Sequence, residues 1–125
     1  MAIKESGEMY LETILILSQK METVRAIDVV KELGYSKPSV SRAMSILKSD
    51  NYIKVSDAGA ISLTAKGRKI AETIYERHTV ISDLLVMIGV SEDVAIEDAC
   101  RVEHYISEET FDALRKYHTK QGKKR

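Results

Sequence analysis

The amino-acid sequence predicts a mostly α-helical protein. An N-terminal winged helix-turn-helix, with three helices and a two-stranded wing, is linked by a long helix to an all-α domain. Apolar residues recur at the 3.6-residue spacing of amphipathic helices along most of the chain. Two short runs rich in β-branched and aromatic residues, 51–55 and 60–63, flank a glycine-containing turn. From residue 65 to about 87 the helical pattern is unbroken, about 35 Å of helix, which is too long for the winged domain alone.

This organisation predicts two domains. A winged helix-turn-helix domain is expected over residues 1–72 and a helical domain over residues 73–120, followed by a disordered basic tail, 121–125. The net charge is zero, with an acidic excess over residues 65–114 and six basic residues in 115–125. Overall charge therefore gives no argument for nucleic acid, and such an argument has to come from local geometry.

The composition also indicates the cellular compartment in which the protein is expected. A single cysteine excludes an internal disulfide and fits a reducing cytosol, so we expect a cytoplasmic protein. No apolar run approaches the roughly 18 residues of a membrane span, and the first residues lack the apolar region of a signal peptide. We expect no membrane association.

A first helix is predicted over residues 7–19 and a helix-turn-helix after it. The first helix of that motif ends at Gly34, Ser36 is a candidate N-cap for the second, and Pro38 lies in the first turn, where its missing N–H is not needed. Two helices of this size joined by a short turn containing glycine form a helix-turn-helix. The inward face of the second helix is Val40, Met44 and Leu47.

The outer face of that second helix carries small hydroxyl groups and bases, which favours entry into the major groove of DNA. Arg42 can make a bidentate contact to a guanine edge, Pro38 offers an apolar surface to a thymine methyl, and serine or lysine side chains can hold phosphates. An ordinary solvated helix face is the alternative, and the helix-turn-helix spacing favours DNA binding. The predicted DNA-binding residues, including one on the wing, are Ser36, Lys37, Pro38, Ser39, Ser41, Arg42 and Lys54.

A cluster of metal-ligand residue types lies near the end of a helix predicted from Ser91 to about Tyr105. Cys100, Glu103 and His104 are spaced i, i+3 and i+4, so on a helix they share one face and offer the donors of a transition-metal site. Three ligands on one turn do not complete such a site. A last helix is predicted from Glu108 to about His118, with that histidine on the surface.

The order of these elements resembles the diphtheria toxin repressor family of metal-dependent regulators, which includes the manganese transport regulators. The chain is similar to a short form of the family, ending before an SH3-like domain could begin. The segments that carry the resemblance span residues 8 to about 115 and are 8–14, 36–41, 63–68, 77–78 and 97–107. The resemblance implies a homodimer that binds operator DNA when loaded with a divalent metal and represses metal-uptake genes.

The resemblance also implies the ligands. By position the primary site is Met9, Cys100, Glu103 and His104, with Cys100 contributing its thiolate or its backbone carbonyl. Sulfur ligands disfavour Mn(II) relative to Fe(II), so Fe(II) is the expected metal and Mn(II) the alternative, with Co(II), Ni(II) or Zn(II) able to substitute in vitro.

A second site is implied at Glu12 and His78, sharing Glu103. By their residue types alone, His78 would be a packed core histidine and Glu12 a solvated charge. The ancillary site of the iron-responsive branch is incomplete here, because Ser82 and Ile96 stand where that branch has Glu and His.

Two alternatives to this function involve Cys100. An enzyme with Cys100 as nucleophile and His104 as base lacks an orienting third residue and an oxyanion loop, so we expect no enzyme and no small-molecule substrate. A winged-helix regulator that senses a non-metal or redox signal is the other alternative. For the homodimer, the expected interface is Val80, Leu84, Leu85, Met87 and Ile88.

Overall fold

The computed structural model describes residues 5–122 and confirms the predicted fold class. Within that range the chain forms six helices and one two-stranded sheet. In chain order they are α1 (Glu5–Lys20), α2 (Ala26–Leu33), α3 (Lys37–Ser49), β1 (Ile53–Val55), β2 (Ile61–Leu63), α4 (Ala65–Met87), α5 (Glu92–Val102) and α6 (Glu108–Gly122). The chain divides into two units between Thr73 and Ile74, so that α4 contributes to both.

The N-terminal unit is a helix-turn-helix packed on α1. Leu11 and Ile14 of α1 are fully buried, and the predicted inward face of α3 is buried as well. The turn has the backbone that its sequence favours: Gly34 is left-handed at φ 72°, and its N–H donates to the Val30 carbonyl at 2.8 Å. Ser36 then caps α3, accepting a hydrogen bond from the Ser39 N–H at 3.3 Å.

The wing is an antiparallel hairpin in which Lys54 pairs with Ser62. Its strands are shorter than predicted because the residues before β1 serve to end α3. Asn51 is left-handed at φ 66°, and the Tyr52 N–H donates to the Leu47 carbonyl at 2.9 Å. A residue outside the hairpin contacts the turn between its strands: Arg25 Nε, just before α2, donates to the Ala58 carbonyl at 3.3 Å.

The start of α4 is fastened to this hairpin. Thr64 Oγ1 accepts from the Gly67 N–H at 3.1 Å and donates to the Asn51 carbonyl at 2.7 Å. A Cβ at Gly67 would overlap the Tyr52 carbonyl, so only glycine allows this approach. Lys66 Nζ lies over the Tyr52 ring, 4.2 Å from its centre.

The C-terminal unit packs the end of α4 against α6. Its buried cluster is Val80, Leu84 and Phe111, against which Met87, Ile106 and Leu114 lie. Val80 and Leu84 are therefore core residues, and their prediction as dimer surface was wrong. Of the five predicted interface residues, Ile88 is the most exposed, at 77%.

Two helix ends in this unit differ from prediction. α5 ends at Val102 rather than near Tyr105, where the chain turns and the Tyr105 N–H donates to the Val102 carbonyl at 3.0 Å. α6 continues to Gly122, so it includes the start of the predicted tail, while residues 123–125 lie outside the described range. His118 is not a surface histidine, because its Nε2 lies 2.9 Å from Asp83 Oδ2 and the side chain is mostly buried.

Candidate metal centre and DNA-binding surface

Glu103 is the centre of the candidate metal site in the C-terminal unit. The buried stripe of α5 is Ala95 and Ala99, and Glu103 continues it at i+4 just beyond the end of the helix. Its side chain is 0% exposed. Cys100, which was predicted to share a helix face with Glu103, lies to one side of that stripe and is exposed, whereas Glu103 is fully buried. Cys100 is exposed because the buried stripe is centred on Ala99, and consecutive side chains leave an α-helix about 100° apart.

Two imidazoles face the Glu103 carboxylate. His78 Nδ1 of α4 lies 2.9 Å from Oε2, at hydrogen-bond distance, and His104 Nε2 lies 3.4 Å from Oε1. The His104 geometry is not that of a hydrogen bond, and among the described residues Glu103 Oε1 has no hydrogen-bond partner. A buried carboxylate oxygen without a hydrogen bond is costly unless a cation compensates it. The carboxylate and imidazole donors therefore fit a divalent metal.

Arg77, the residue before His78, holds the backbone of the same turn. Its Nη1 donates to the Glu103 carbonyl at 3.1 Å and to the Ile106 carbonyl at 3.3 Å. The guanidinium also lies 5.3 Å from the centre of the Phe111 ring. The resemblance singled out the dipeptide Arg77-His78, but nothing in the sequence indicated this role for the arginine.

The other two predicted ligands, Met9 and Glu12, belong to the N-terminal unit. Both lie on α1, where Glu12 is buried and Met9 is partly buried. Tyr35 donates a hydrogen bond from Oη to Met9 Sδ at 3.6 Å, and its ring packs edge-on against Tyr10 with centroids 6.2 Å apart. Burial, and secondarily Tyr35, raise the pKa of Tyr10 above its ordinary value of 10.0. Sequence reasoning missed Tyr35, since a tyrosine in a turn carries no signal of a contact to a residue 26 positions away.

The predicted DNA-binding residues are all exposed on the N-terminal unit. Arg42 lies on the side of α3 opposite its buried residues, and Lys54 is exposed on β1. Ser36 caps α3, and its Oγ donates a hydrogen bond to Ser39 Oγ at 2.8 Å, so the two hydroxyls are held together at the start of the helix. The prediction omitted Ile46, which is 55% exposed one turn after Arg42.

A winged helix-turn-helix with an exposed, basic second helix, followed by a unit with carboxylate and imidazole donors, defines a metal-dependent DNA-binding regulator. Comparison with known protein families gives the same result. Residues 2–61 match the iron dependent repressor N-terminal DNA binding domain, and residues 64–121 match the iron dependent repressor metal binding and dimerisation domain. The chain belongs to this family, the diphtheria toxin repressor family of metal-dependent transcriptional repressors. The family consists of DNA-binding regulators, which confirms that the chain is not an enzyme.

Individual relatives agree with the family assignment. The chain is 36% identical over 115 residues to the transcriptional regulator MntR of Escherichia coli O157:H7, covering 92% of this chain and 74% of that protein. It is 32% identical over 109 residues to the HTH-type transcriptional regulator MntR of Geobacillus kaustophilus, covering 87% and 77%. The solved structure of the manganese regulator SloR aligns with a TM-score of 0.78 at 25% identity, covering 94% of this chain and about half (54%) of that chain.

Among residues 5–122, no helix is both long enough and apolar enough to span a membrane.

Proposed function

We propose that this protein is a divalent-metal-activated repressor of metal-uptake genes, acting in the cytoplasm as a homodimer on operator DNA. The observation that carries the proposal is Glu103, a fully buried carboxylate between two imidazoles with one oxygen lacking a hydrogen bond among the described residues. That arrangement has the charge and the donor atoms that a divalent cation needs. When bound, the cation supplies the positive charge that the Glu103 site lacks.

We assign the ligands as the resemblance to the family implies them. The primary set is Met9, Cys100, Glu103 and His104, and a possible second site takes Glu12 and His78 with Glu103 shared. The approach of His78 to Glu103 supports the shared role of that carboxylate. The exposure of Cys100 leaves both of its donors, the thiolate and the backbone carbonyl, in the assignment.

Fe(II) is our first candidate metal and Mn(II) the second. Fe(II) is favoured by the sulfur atoms of Met9 and Cys100, because Mn(II) prefers oxygen donors. Mn(II) is favoured by the relatives, since two are named MntR and the SloR structure is titled a manganese regulator. Replacing both sulfur residues with aspartate should therefore shift the response toward Mn(II).

The exposed face of α3 is proposed to read the operator. Arg42 contacts base edges in the major groove, while Lys37 and the wing residue Lys54 contact phosphates. The surface is completed by Ser36, Pro38, Ser39 and Ser41, of which Ser36 also caps the helix.

Homodimerisation is proposed for the C-terminal unit, in line with the dimerisation domain that matches residues 64–121. Large apolar side chains that remain exposed in this unit supply the surface, and among them are Val86, Ile88, Ile96 and Tyr105. A C2 dimer would pair the two DNA-binding units with two half-sites of one operator.

The test is a selection of bound sequences from random duplex DNA with Fe(II), with Mn(II), and with chelator, followed by gel shifts on the selected duplex. We expect metal to tighten binding strongly and chelator to reverse it. The response of the wild type to Fe(II) and to Mn(II) decides between the two metals, and the Met9→Asp, Cys100→Asp double variant on the same duplex should shift that response toward Mn(II). Binding that is equally tight in chelator and in metal would refute metal activation.

A further inference from the structure

The contact between Tyr35 and Met9 joins a proposed metal ligand to the turn of the helix-turn-helix. Met9 lies on α1, whereas Tyr35 lies between Gly34, which ends α2, and Ser36, which caps α3. The Tyr35 hydroxyl donates to the Met9 sulfur at 3.6 Å. The Tyr35 ring is anchored independently, edge-on against Tyr10 at an interplanar angle of 76°. Tyr35 is 43% exposed, so this edge contact with Tyr10 is the packing that orients the ring and its hydroxyl toward Met9.

A methionine side chain has three rotatable bonds, and ordering them opposes any interaction that needs a fixed sulfur. A hydrogen bond to the sulfur restricts those rotations before a metal arrives. A thioether sulfur carries two lone pairs and accepts weakly, so donation by Tyr35 to one leaves the other for a metal. Preorganising a ligand in this way raises affinity without adding a contact to the metal.

We propose that Tyr35 is a positioning residue that holds the Met9 thioether ready for the divalent metal. The inference rests on the proposed function, because it takes Met9 as a ligand. It adds a residue that does not touch the metal itself. It also places that residue directly before the N-cap of α3, so the α1 ligand and the start of the DNA-reading helix share one connection.

The first experiment measures Co(II) affinity by calorimetric titration of the full chain, Co(II) being a stand-in for Fe(II) that resists oxidation. Tyr35→Phe keeps the ring on Tyr10 and removes only the hydroxyl. We expect binding about two- to five-fold weaker, the effect of one modest hydrogen bond. Tyr117→Phe, which removes a hydroxyl from an exposed tyrosine of α6, is the matched control and should bind as wild type. Binding by Tyr35→Phe that is unchanged or tighter would overturn the proposal.

A double-mutant cycle separates positioning from general destabilisation. In a Met9→Leu background the thioether is absent, so adding Tyr35→Phe should change Co(II) affinity no further. An equal loss in both backgrounds would mean that Tyr35 acts on the fold and not on Met9.

The last readout needs no metal. In the metal-free protein labelled at the methionine ε-methyl carbons, the Met9 resonance is identified by its loss in Met9→Leu. Tyr35→Phe should move that resonance and leave those of Met21 and Met44 in place, because the aromatic ring is retained. A Met9 resonance that does not move refutes the contact. By contrast, wild-type protein that takes up no Co(II), Fe(II) or Mn(II) refutes the proposed function.

Discussion

Removing the Arg77 guanidinium should loosen the turn that carries Glu103 and His104. In Arg77→Met the side chain keeps most of its apolar stem and loses two hydrogen bonds, to the carbonyls of Glu103 and Ile106. A hydrogen bond from a charged donor contributes about 1.5–3 kcal/mol, and a cation over an aromatic ring about 0.5–1 kcal/mol. The lower ends of these ranges sum to about 3.5 kcal/mol for the two hydrogen bonds and the ring contact. Because Arg77 is only partly buried, solvent screens its charge, and we expect a loss of about 2–4 kcal/mol in local stability.

Amide hydrogen exchange in the metal-free protein measures this loss where it should occur. The N–H groups of Tyr105 and Ile106 donate to the Val102 carbonyl within the turn, and in Arg77→Met we expect them to exchange at least about thirty-fold faster. Arg101→Met is the matched control: Arg101 is 77% exposed and its ion pair with Asp98 is long, 3.7 Å, so its removal should change exchange by less than about three-fold.

Two results would refute this reasoning. One is equal exchange of the turn in Arg77→Met and Arg101→Met. The other is faster exchange throughout the C-terminal unit with no excess in the turn, which would make Arg77 a general core residue. If the turn alone is loosened, Co(II) affinity should fall in Arg77→Met and not in Arg101→Met.

Three further predictions follow from single contacts. Glu103→Gln keeps the size of the side chain but removes its charge, so Co(II) affinity measured by calorimetry should fall at least about a hundred-fold while the helical circular dichroism is retained. A variant that binds Co(II) with wild-type affinity would show that Glu103 is not a ligand. Gly67→Ala places a Cβ on the Tyr52 carbonyl and should lower the free energy of unfolding by about 1–3 kcal/mol in urea, with an unchanged midpoint contradicting the close approach. Arg42→Ala should relax base preference in gel shifts on matched and scrambled duplexes, whereas Lys37→Ala should weaken binding to both duplexes alike and reduce the salt dependence by about one unit of log–log slope. Identical behaviour of the two variants would argue against base contacts by Arg42.

Local signals in the sequence were sufficient for the fold. Gly34, Ser36 and Pro38 have backbone requirements of their own, so the helix-turn-helix could be placed from them to within a residue or two. The predicted ends of strands and helices were less accurate where contacts with a neighbouring element set the backbone conformation. Asn51 and Tyr52 read as strand, yet in the structure their backbone ends α3.

The site was predictable in its residue types and not in its contacts. Spacing placed Cys100 and Glu103 on one helix face, but burial depends on which stripe of α5 packs inward. In the structure that stripe is Ala95 and Ala99, and Glu103 continues it. His78 could be named only through the resemblance. The contacts of Arg77 and Tyr35 join residues 26 or more positions apart, and no periodicity or spacing encodes them.

Because the neighbouring residues Arg77 and His78 both contact Glu103, they fix the rotation of α4 about its own axis at this point. The two side chains leave the helix about 100° apart, yet one binds the backbone of Glu103 and the other its carboxylate. A single residue inserted into α4 between this dipeptide and the core residues Val80 and Leu84 would turn both side chains away together. The register of this helix is thus under a double constraint, and α4 should tolerate substitutions at its exposed positions far better than any change in its length.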